Sequence, residues 1–464
     1  MPKDDIGTYD SQASKEINLT ILKKILIDNG VDKIYVKKLS PNDNSKNQPY
    51  LGGDLTELSF IPTDEIEPSI TSSTKKSKTS IKFQASLHLE WITPEGNCIL
   101  APHAKLIYYP QYPEVRLSGF LRNSKVNISK WMAPQKQGRS EGRWLIFGVC
   151  NNKKIYAYLV TPESNLANEL SLISFKSVGS VLSEIEIDEK EHEVSTKDSL
   201  IRTLLNIHSQ GWISSRKLNA DLTYSNYSAP NGGGYTLESL LNIYPNGFSE
   251  PDYMGWEVKQ FGVSKFPSSG AKPTTLMTPE PNGGIYVEKG PSAFIQNYGY
   301  PDKSGIQDRY NFGGKHTAGK TQNLTNLTMQ ILGFDEKSLS IIDPNGSIAL
   351  IDKNDQIAAS WSFAKLIDHW KRKHSQAVYV PCLSRINTVT GLKEYHFGNN
   401  LELGEGTNFE VFLAAVQTGT IFYDPGIKME NASSTSPKIK RRSQFRVNHK
   451  DIKNLYNKYE ILNT

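Results

Sequence analysis

The chain has few cysteines and no long apolar run. Its 464 residues include three cysteines, Cys98, Cys150 and Cys382, and none of them stands in a C-x-x-C spacing. This pattern argues against a disulfide framework or a structural zinc site and fits a reducing compartment. No stretch approaches the roughly eighteen apolar residues that a membrane-spanning helix needs. The polar, acidic N-terminus lacks the basic start and apolar core of a signal peptide, so we expect a cytoplasmic protein with no membrane partner.

Acidic residues are absent from one C-terminal stretch, although the net charge of the whole chain is only +5. Residues 431–450 contain no acid, and lysines and arginines are crowded between Lys438 and Lys450. Taken alone, such a run is a solvated basic tail. Because Phe445 and Val447 interrupt the charges, we instead expect part of it to be a strand packed on a core.

The length and the changes in composition predict more than one domain. A chain of 464 residues exceeds what one hydrophobic core normally fills. Over residues 81–160, β-branched and aromatic runs alternate with turns such as PEGN and CNNKK, which predict hairpins in a mixed or mainly antiparallel sheet. Dense charge over residues 187–199 marks a linker. We therefore predict an N-terminal α+β domain rich in β-strands over residues 1–190 and a second, α/β domain over residues 200–464, with a boundary near residue 195.

The stretch EPDYMGWEVKQF places Asp252, Glu257 and Lys259 within eight residues. Side chains alternate along an extended chain, so Glu257 and Lys259 should share one face while Trp256 points into a core. Gly255 would permit a kink that brings Asp252 towards Glu257.

Two converging carboxylates suit a hard cation such as Mg²⁺, and an adjacent ammonium can act on an attacking water. This is the chemistry needed to hydrolyse a phosphodiester. The pattern D-x(4)-E-x-K is nevertheless loose, and a Glu-x-Lys pair on an exposed strand is common. The string alone leaves both interpretations open.

A helix upstream of this stretch carries a further carboxylate. Glycines 232–234 precede apolar positions at helical spacing, and Glu238 stands among them. A carboxylate on a helix behind the acidic strand can orient a metal ion and its waters. The simpler alternative is that Glu238 complements the positive end of the helix dipole.

The combination of the glycines, the GYTLESLLNI helix, EPD and GWEVK resembles the catalytic core of MvaI/BcnI-type restriction endonucleases. These enzymes belong to the PD-(D/E)XK superfamily, which includes the mismatch-repair nickase MutH. The resemblance covers about 260 C-terminal residues and implies a restriction endonuclease-like fold around a central mixed sheet. It implies that Asp252, Glu257 and Lys259 are catalytic and that Glu238 assists, with Mg²⁺ held by the three carboxylates and Mn²⁺ able to substitute. It further implies a strand at residues 272–281 and a closing basic segment at residues 441–456.

The resemblance implies double-stranded DNA as the partner, and basic residues indicate where it is contacted. A glycine-rich stretch suited to approaching a groove carries Arg309, Tyr310, Lys315, His316 and Lys320. Its alternative is a surface loop with incidental charges. The closing segment carries Arg441, Arg442 and Arg446. The basic patch at residues 369–380 is interpreted as a solvated helix end that complements the helix dipole.

The function predicted from these features is that of a bacterial type II restriction endonuclease. It would cut duplex DNA at a short specific sequence, leave 5′-phosphates, and work in phage defence beside a cognate DNA methyltransferase. A monomer that nicks each strand in turn is what the family suggests.

The N-terminal domain is interpreted as an accessory DNA-binding or target-sensing module, with a purely structural module as the alternative. Alternatives for the whole chain are a MutH-like nickase, a defence nuclease for modified DNA and, in another class, a non-catalytic DNA-binding protein.

Overall fold

A computed structural model describes residues 7–72, 79–133, 141–187, 196–244, 253 and 255–463. The chain divides into two compact units, Met1–His192 and Glu193–Thr464, and each is described by itself below. The position predicted for the boundary, near residue 195, lies outside the described residues. The described chain is a mixed α/β structure with many strands and few helices.

The first unit is built mainly from strands. Its helices are α1 (Gln12–Glu16), α2 (Leu19–Asp28), α3 (Ser129–Met132) and α4 (Asn165–Leu172), with a 3₁₀ turn at Leu55–Leu58. Its strands are β1 (Lys33–Lys38), β2 (Tyr50–Gly52), β3 (Glu67–Ser72), β4 (Thr79–Ser86), β5 (His88–Ile92), β6 (Cys98–Leu100), β7 (Lys105–Tyr109), β8 (Glu114–Ser118), β9 (Trp144–Val149), β10 (Lys154–Val160), β11 (Lys176–Val178) and β12 (Leu182–Ile185).

These strands form two sheets, in the orders β11-β12-β1-β9-β10-β5-β6 and β2-β8-β7-β4-β3. The turns PEGN and CNNKK do connect antiparallel strands, β5 with β6 and β9 with β10. Strand β10 also pairs with β5 in parallel, so the larger sheet is mixed. Its central strands are buried on both faces, which explains their nearly continuous apolar sequence.

The second unit has longer helices and several small sheets. Its helices are α5 (Thr196–Ser209), α6 (Gly232–Leu240), α7 (Ile285–Glu288), α8 (Gly290–Tyr298), α9 (Phe363–His374) and α10 (Phe409–Gln417), with a 3₁₀ helix at His449–Leu455. Its strands are β13 (Ile213–Ser214), β14 (Arg216–Leu218), β15 (Tyr224–Asn226), β16 (Glu257–Gly262), β17 (Thr274–Met277), β18 (Tyr300–Pro301), β19 (Arg309–Gly313), β20 (Thr321–Gln322), β21 (Leu327–Leu332), β22 (Phe334–Asp335), β23 (Ser340–Ile341), β24 (Ser347–Ile351), β25 (Ile357–Ser362), β26 (Gln376–Ile386), β27 (Lys393–Phe397), β28 (Asn400–Glu405), β29 (Ile421–Tyr423), β30 (Gly426–Glu430), β31 (Lys438–Lys440), β32 (Phe445–Val447) and β33 (Lys458–Asn463).

The long strand β26 organises the largest sheet of this unit. It pairs in parallel with β16, and its first and second halves pair antiparallel with β28 and β27. Strands β13 and β33 extend the sheet beyond β27 and β28. The parallel register sets Glu257 beside Ala377 and Lys259 beside Tyr379, so both strands begin at the same end of the sheet.

Helices α5 and α6 cover one face of this sheet. Leu200, Leu204 and Ile207 of α5 are buried in one cluster with Val258 and Val378. Helix α6 contributes Leu237 and Leu241 to the same cluster. The clustered side chains bring the sheet and both helices together by burying apolar area, which is worth about 25 cal/mol per Å².

The opposite face packs against the 3₁₀ helix His449–Leu455 and against α9. The His449 ring stacks on Phe261 with 3.5 Å between ring centroids. Two further sheets, β17-β32-β29 and β18-β19-β30-β31, contain the strands predicted near residues 272–281 and in the basic run. Phe445 and Val447 are buried, so the expectation that the basic run packs partly on a core is confirmed.

Sequence signals at the ends of two helices explain where they begin. The side chains of Ser362 and Asn408 accept hydrogen bonds from the backbone amides of Lys365 and Val411, which caps α9 and α10. Among the described residues, no helix is long and apolar enough to cross a membrane.

We predict that Gly404→Ala destabilises the second unit by about 1–3 kcal/mol, because overpacking of a core strains its neighbours. An added Cβ would lie 2.5 Å from Cδ2 of Tyr456. That ring is fixed by its hydroxyl, which donates a hydrogen bond to His374 and accepts one from Tyr379. Thermal unfolding of the purified variant measures the effect.

Gly262→Ala is the matched control, because it also adds a methyl group to a strand of this sheet. Its nearest neighbour would be Lys272 Cδ at 4.0 Å. Equal melting temperatures for the two variants would contradict the packing argument.

Candidate functional site

A tight turn leads into strand β16. Tyr253 and Trp256 exchange backbone hydrogen bonds, with the Tyr253 amide donating at 2.9 Å and the Trp256 amide at 2.8 Å. Gly255 within this turn has a φ of +85°, which glycine adopts without a steric penalty. The kink expected at Gly255 is therefore present as a hairpin turn, and it ends directly before Glu257.

Alternation along β16 separates the apolar and charged side chains, as predicted. Trp256 and Val258 belong to the core cluster beneath α5 and α6. Glu257 and Lys259 lie on the other face, with Phe261 two residues further on.

Glu257 is buried and ion-paired to two lysines. Its Oε1 atom lies 2.6 Å from Nζ of Lys259 and 3.2 Å from Nζ of Lys373. Only 3% of the Glu257 side chain is exposed. A carboxylate this deeply buried needs nearby positive charge, and here both ammonium groups provide it at the same oxygen.

The second carboxylate oxygen of Glu257 has a different environment. Within the described part of the chain, Oε2 is buried and has no hydrogen-bond partner. A buried, unpaired oxygen acceptor is costly, and such an atom in a native structure indicates a missing partner. A cation is one partner that would satisfy it.

Lys373 was missed by the sequence-based prediction. Its patch was interpreted as a solvated helix end, and this interpretation is wrong, because Lys371 and His374 are buried and Lys373 contacts Glu257. Helix α9 ends just before β26, and β26 lies parallel to β16, so the last turn of α9 reaches the start of β16. The basic helix end was visible in the sequence, but its neighbour 116 residues away was not.

A chain of buried hydrogen bonds supports this corner of the sheet. His374 Nε2 lies 3.1 Å from the carbonyl oxygen of Leu276, and Nδ1 lies 3.1 Å from the Tyr456 hydroxyl. Since a carbonyl can only accept, Nε2 carries the proton and Nδ1 accepts from Tyr456, whose oxygen then accepts from Tyr379. Burial and the charges of Lys259 and Lys373 lower the pKa of His374 well below its usual value, so the ring is neutral.

A second buried set lies beside the first. The carboxylate of Glu402, which is paired in register with Tyr379, contacts His449 Nε2 at 3.0 Å and accepts a hydrogen bond from the Tyr459 hydroxyl. His449 also contacts the Thr274 hydroxyl at 3.2 Å. These contacts attach strand β17 to the sheet that carries Glu257.

The other two predicted carboxylates are placed differently. Glu238 is half-buried on α6, whose Leu237 and Leu241 pack on the Trp256 side of β16. Asp252 lies outside the described residues. Among the residues that are described, no three His, Cys, Asp or Glu side chains are grouped as a metal site.

Two of the predicted DNA-binding arginines are engaged in ion pairs. Arg309 lies 2.8 Å from the buried carboxylate of Asp302. Arg446 lies 2.7 Å from Asp424 and donates to the Pro273 carbonyl. Both guanidinium groups therefore hold loops of the second unit together.

His316 does not fit the predicted role of a DNA contact. The residue is fully buried, and its ring nitrogens bond to the Gly314 carbonyl and the Thr325 hydroxyl at 2.8 and 2.9 Å. Burial lowers its pKa to about 4. In this structure His316 is a core residue that cannot reach a base edge.

The remaining predicted DNA-binding residues are accessible. Tyr310 is half-buried on β19, whereas Lys315, Lys320, Arg441 and Arg442 are exposed. Lys315 lies over the ring of Phe422, with its ammonium 4.0 Å from the ring centroid.

Comparison with family models identifies this unit. Residues 201–456 match the model of the MvaI/BcnI restriction endonuclease family, a span of more than half of the 464 residues. The chain belongs to this family. The match agrees with the stretch over which the sequence resembles MvaI/BcnI enzymes, and membership supports a site-specific DNA endonuclease.

Three solved structures show a weaker likeness to this MvaI/BcnI family member. The complex of MvaI with cognate DNA is 18% identical with a TM-score of 0.44 and covers 58% of this chain and 99% of that chain. MvaI without DNA is 17% identical with a TM-score of 0.32, and the match covers 59% of this chain and 100% of that chain. The B3 domain of the UbaLAI restriction endonuclease with cognate DNA is 16% identical with a TM-score of 0.20, and the match covers 35% of this chain and 96% of that chain. The family assignment rests on the family model.

The search of curated proteins found no match.

We predict that protonation of His316 destabilises the second unit in acid. Its pKa of about 4 when folded lies below the unfolded value of 6.5, so its contribution to stability is complete above pH 6.5 and is lost as the pH falls towards 4. At pH 5 the loss is about 2 kcal/mol, which lowers the melting temperature by roughly 5 °C. Calorimetry at pH 7 and pH 5 measures it.

The variant His316→Asn should show a smaller drop in melting temperature between these two pH values than the wild type. His103→Asn, which replaces an exposed histidine, is the control and should retain the wild-type drop. An unchanged drop in His316→Asn would show that other groups cause the acid sensitivity.

Proposed function

We propose that this family member is a Mg²⁺-dependent type II restriction endonuclease with a PD-(D/E)XK catalytic domain over residues 200–464. It would cut both strands of duplex DNA at a short specific sequence and leave 5′-phosphates. The observation that carries the proposal is the buried Glu257 carboxylate, which is held by two lysines at Oε1 and has no partner at Oε2 among the described residues.

The residues present fit a hard divalent cation. Glu257 Oε2 is an acceptor that such an ion would satisfy. Asp252 is assigned to the same cation because its position in EPDYMGWEVK matches the acidic residue that the family resemblance makes catalytic.

Glu238 completes the proposed carboxylate set. The family match supports this role. The helix that carries Glu238, α6, packs on the Trp256 face of β16, which is opposite to the Glu257 face. When bound, Mg²⁺ would stabilise negative charge on the scissile phosphate and activate the attacking water, and Mn²⁺ would substitute.

The protein groups have separate tasks in this proposal. Lys259, whose side chain is 15% exposed, is the ammonium that can reach a water or phosphate oxygen from the strand. Glu257 is shielded from bulk water by its burial, which strengthens its electrostatic interactions.

DNA contacts are proposed for the accessible candidates, Tyr310, Lys315, Lys320, Arg441 and Arg442. Lysine and arginine side chains bind DNA phosphates and the edges of guanine bases. The four lysines and arginines among these candidates are exposed. Arg309, His316 and Arg446 would act indirectly, by fixing the loops that carry these contacts.

The first unit is proposed to be an accessory DNA-binding or target-sensing domain over residues 1–190. The connections before, between and after β7 and β8 carry exposed side chains that can contact DNA or stack on its bases, namely His103, Tyr112 and Arg122.

The proposal also includes the setting of the enzyme. We place it in the bacterial cytoplasm as a monomer that cuts the two strands in turn, beside a cognate DNA methyltransferase and in phage defence. The family and the free thiols of the three cysteines support this setting.

We predict that Asp252→Ala and Glu257→Gln each reduce cleavage of plasmid DNA by about a thousandfold or more, because each removes a metal-binding carboxylate. The assay follows supercoiled plasmid in Mg²⁺ on gels, with methylated and unmethylated DNA in parallel. Sequencing of the ends reports the site and the 5′-phosphate.

Glu288→Gln, which changes an exposed carboxylate on α7, is the control and should cleave like the wild type. Nicked circles alone would favour the MutH-like nickase, and cleavage of methylated plasmid alone would favour a nuclease for modified DNA. DNA binding without cleavage by the wild type would sink the enzyme proposal.

A further inference from the structure

Two lysines share one oxygen of Glu257. Lys259 reaches Oε1 from within β16 at 2.6 Å, and Lys373 reaches it from α9 at 3.2 Å. One ion pair would balance the charge of the carboxylate, so the second ammonium needs its own explanation.

The other cations at the end of α9 do not share this arrangement. Lys371 is 3% exposed and lies in the core. Arg372 pairs with Asp368 one turn earlier in its own helix, with Nη2 2.9 Å from Oδ1. Lys373 instead contacts Glu257, which lies 116 positions away in the chain. An interaction with the helix dipole does not by itself explain why the Lys373 side chain is turned towards Glu257.

The shared oxygen creates a conflict for Lys259. In the proposed function its ammonium acts on the attacking water, yet here it is bound to Glu257. Moving it away would leave a buried carboxylate oxygen without positive charge, which is strongly unfavourable. Lys373 removes this obstacle, because its own ammonium stays at Oε1.

We infer that Lys373 is a positioning residue that keeps Glu257 Oε1 charge-compensated and thereby releases Lys259 to act on the substrate. The inference rests on the proposed function and adds a residue to it. Lys373 acts through Lys259 and Glu257 and does not touch the reacting atoms.

The test is a double-mutant cycle on plasmid cleavage in saturating Mg²⁺. Lys373→Met keeps the aliphatic stem and removes the ammonium, and it should lower kcat about 10²-fold, as expected when a catalytic group is misplaced, with KM for DNA changed less than about threefold. Lys373→Arg keeps a cation and should restore kcat to within about tenfold of the wild type. In a Lys259→Met background, Lys373→Met should lower kcat no further, since residues that act as a unit are non-additive.

Arg372→Ala is the matched control, a neighbouring cation of similar exposure, and it should keep the wild-type kcat. If the double variant lowers kcat by the product of the two single-variant factors, Lys373 acts independently of Lys259, and the inference is overturned. A wild-type kcat in Lys373→Met would also overturn it. If Glu257→Gln is inactive in that case, the proposed function survives, whereas an active Glu257→Gln would remove the proposed site itself.

Calcium binding gives a readout that does not depend on cleavage. Lys373→Met removes a positive charge from the cation's surroundings, so calorimetry with Ca²⁺ should show affinity equal to or higher than that of the wild type. Affinity reduced more than about tenfold would mean that Lys373 shapes the metal site itself, which contradicts the inference.

Discussion

Burial of the Glu257 carboxylate is the constraint on which the rest of the second unit depends. A charged group in a protein interior is tolerated only where opposite charges offset its lost hydration. Here one lysine comes from the same strand and the other from the last turn of α9. The parallel pairing of β16 with β26 brings these elements to one end of the sheet. Tyr379, Tyr456 and His374 form a buried, hydrogen-bonded chain at the same corner.

Local patterns in the sequence predicted much of this arrangement. The spacing of Glu257 and Lys259 was enough to place them on one face, because side chains alternate in any strand. Two hairpins of the first unit were predicted from their turn residues, PEGN and CNNKK. Lys373 could not be placed, since its partner depends on which distant strands pair. His316 was predicted to contact DNA because the composition of its segment does not reveal which side chains are buried. Its burial depends on contacts with Gly314, Thr325 and Tyr423.

The arginines of the second unit show why charge alone is a poor guide to a binding surface. Arg309 and Arg446 stand in the segments that the sequence assigned to DNA, yet each is bound to an aspartate and fixes the backbone around it. Arginine suits this role because its planar guanidinium makes several directed hydrogen bonds. The exposed Lys315 and Lys320 instead stand on either side of the buried His316, whose hydrogen bonds fix that segment.

The distance along the chain between Glu257 and Lys373 also sets when the site can exist. When Glu257 has just been synthesised, the ribosome-bound chain still lacks α9, which carries Lys373. Strand β26, which pairs with β16, is synthesised later still. At about 5–20 residues per second, 116 residues take roughly 6–23 s to synthesise. The charged corner is thus assembled only when most of the unit has been made.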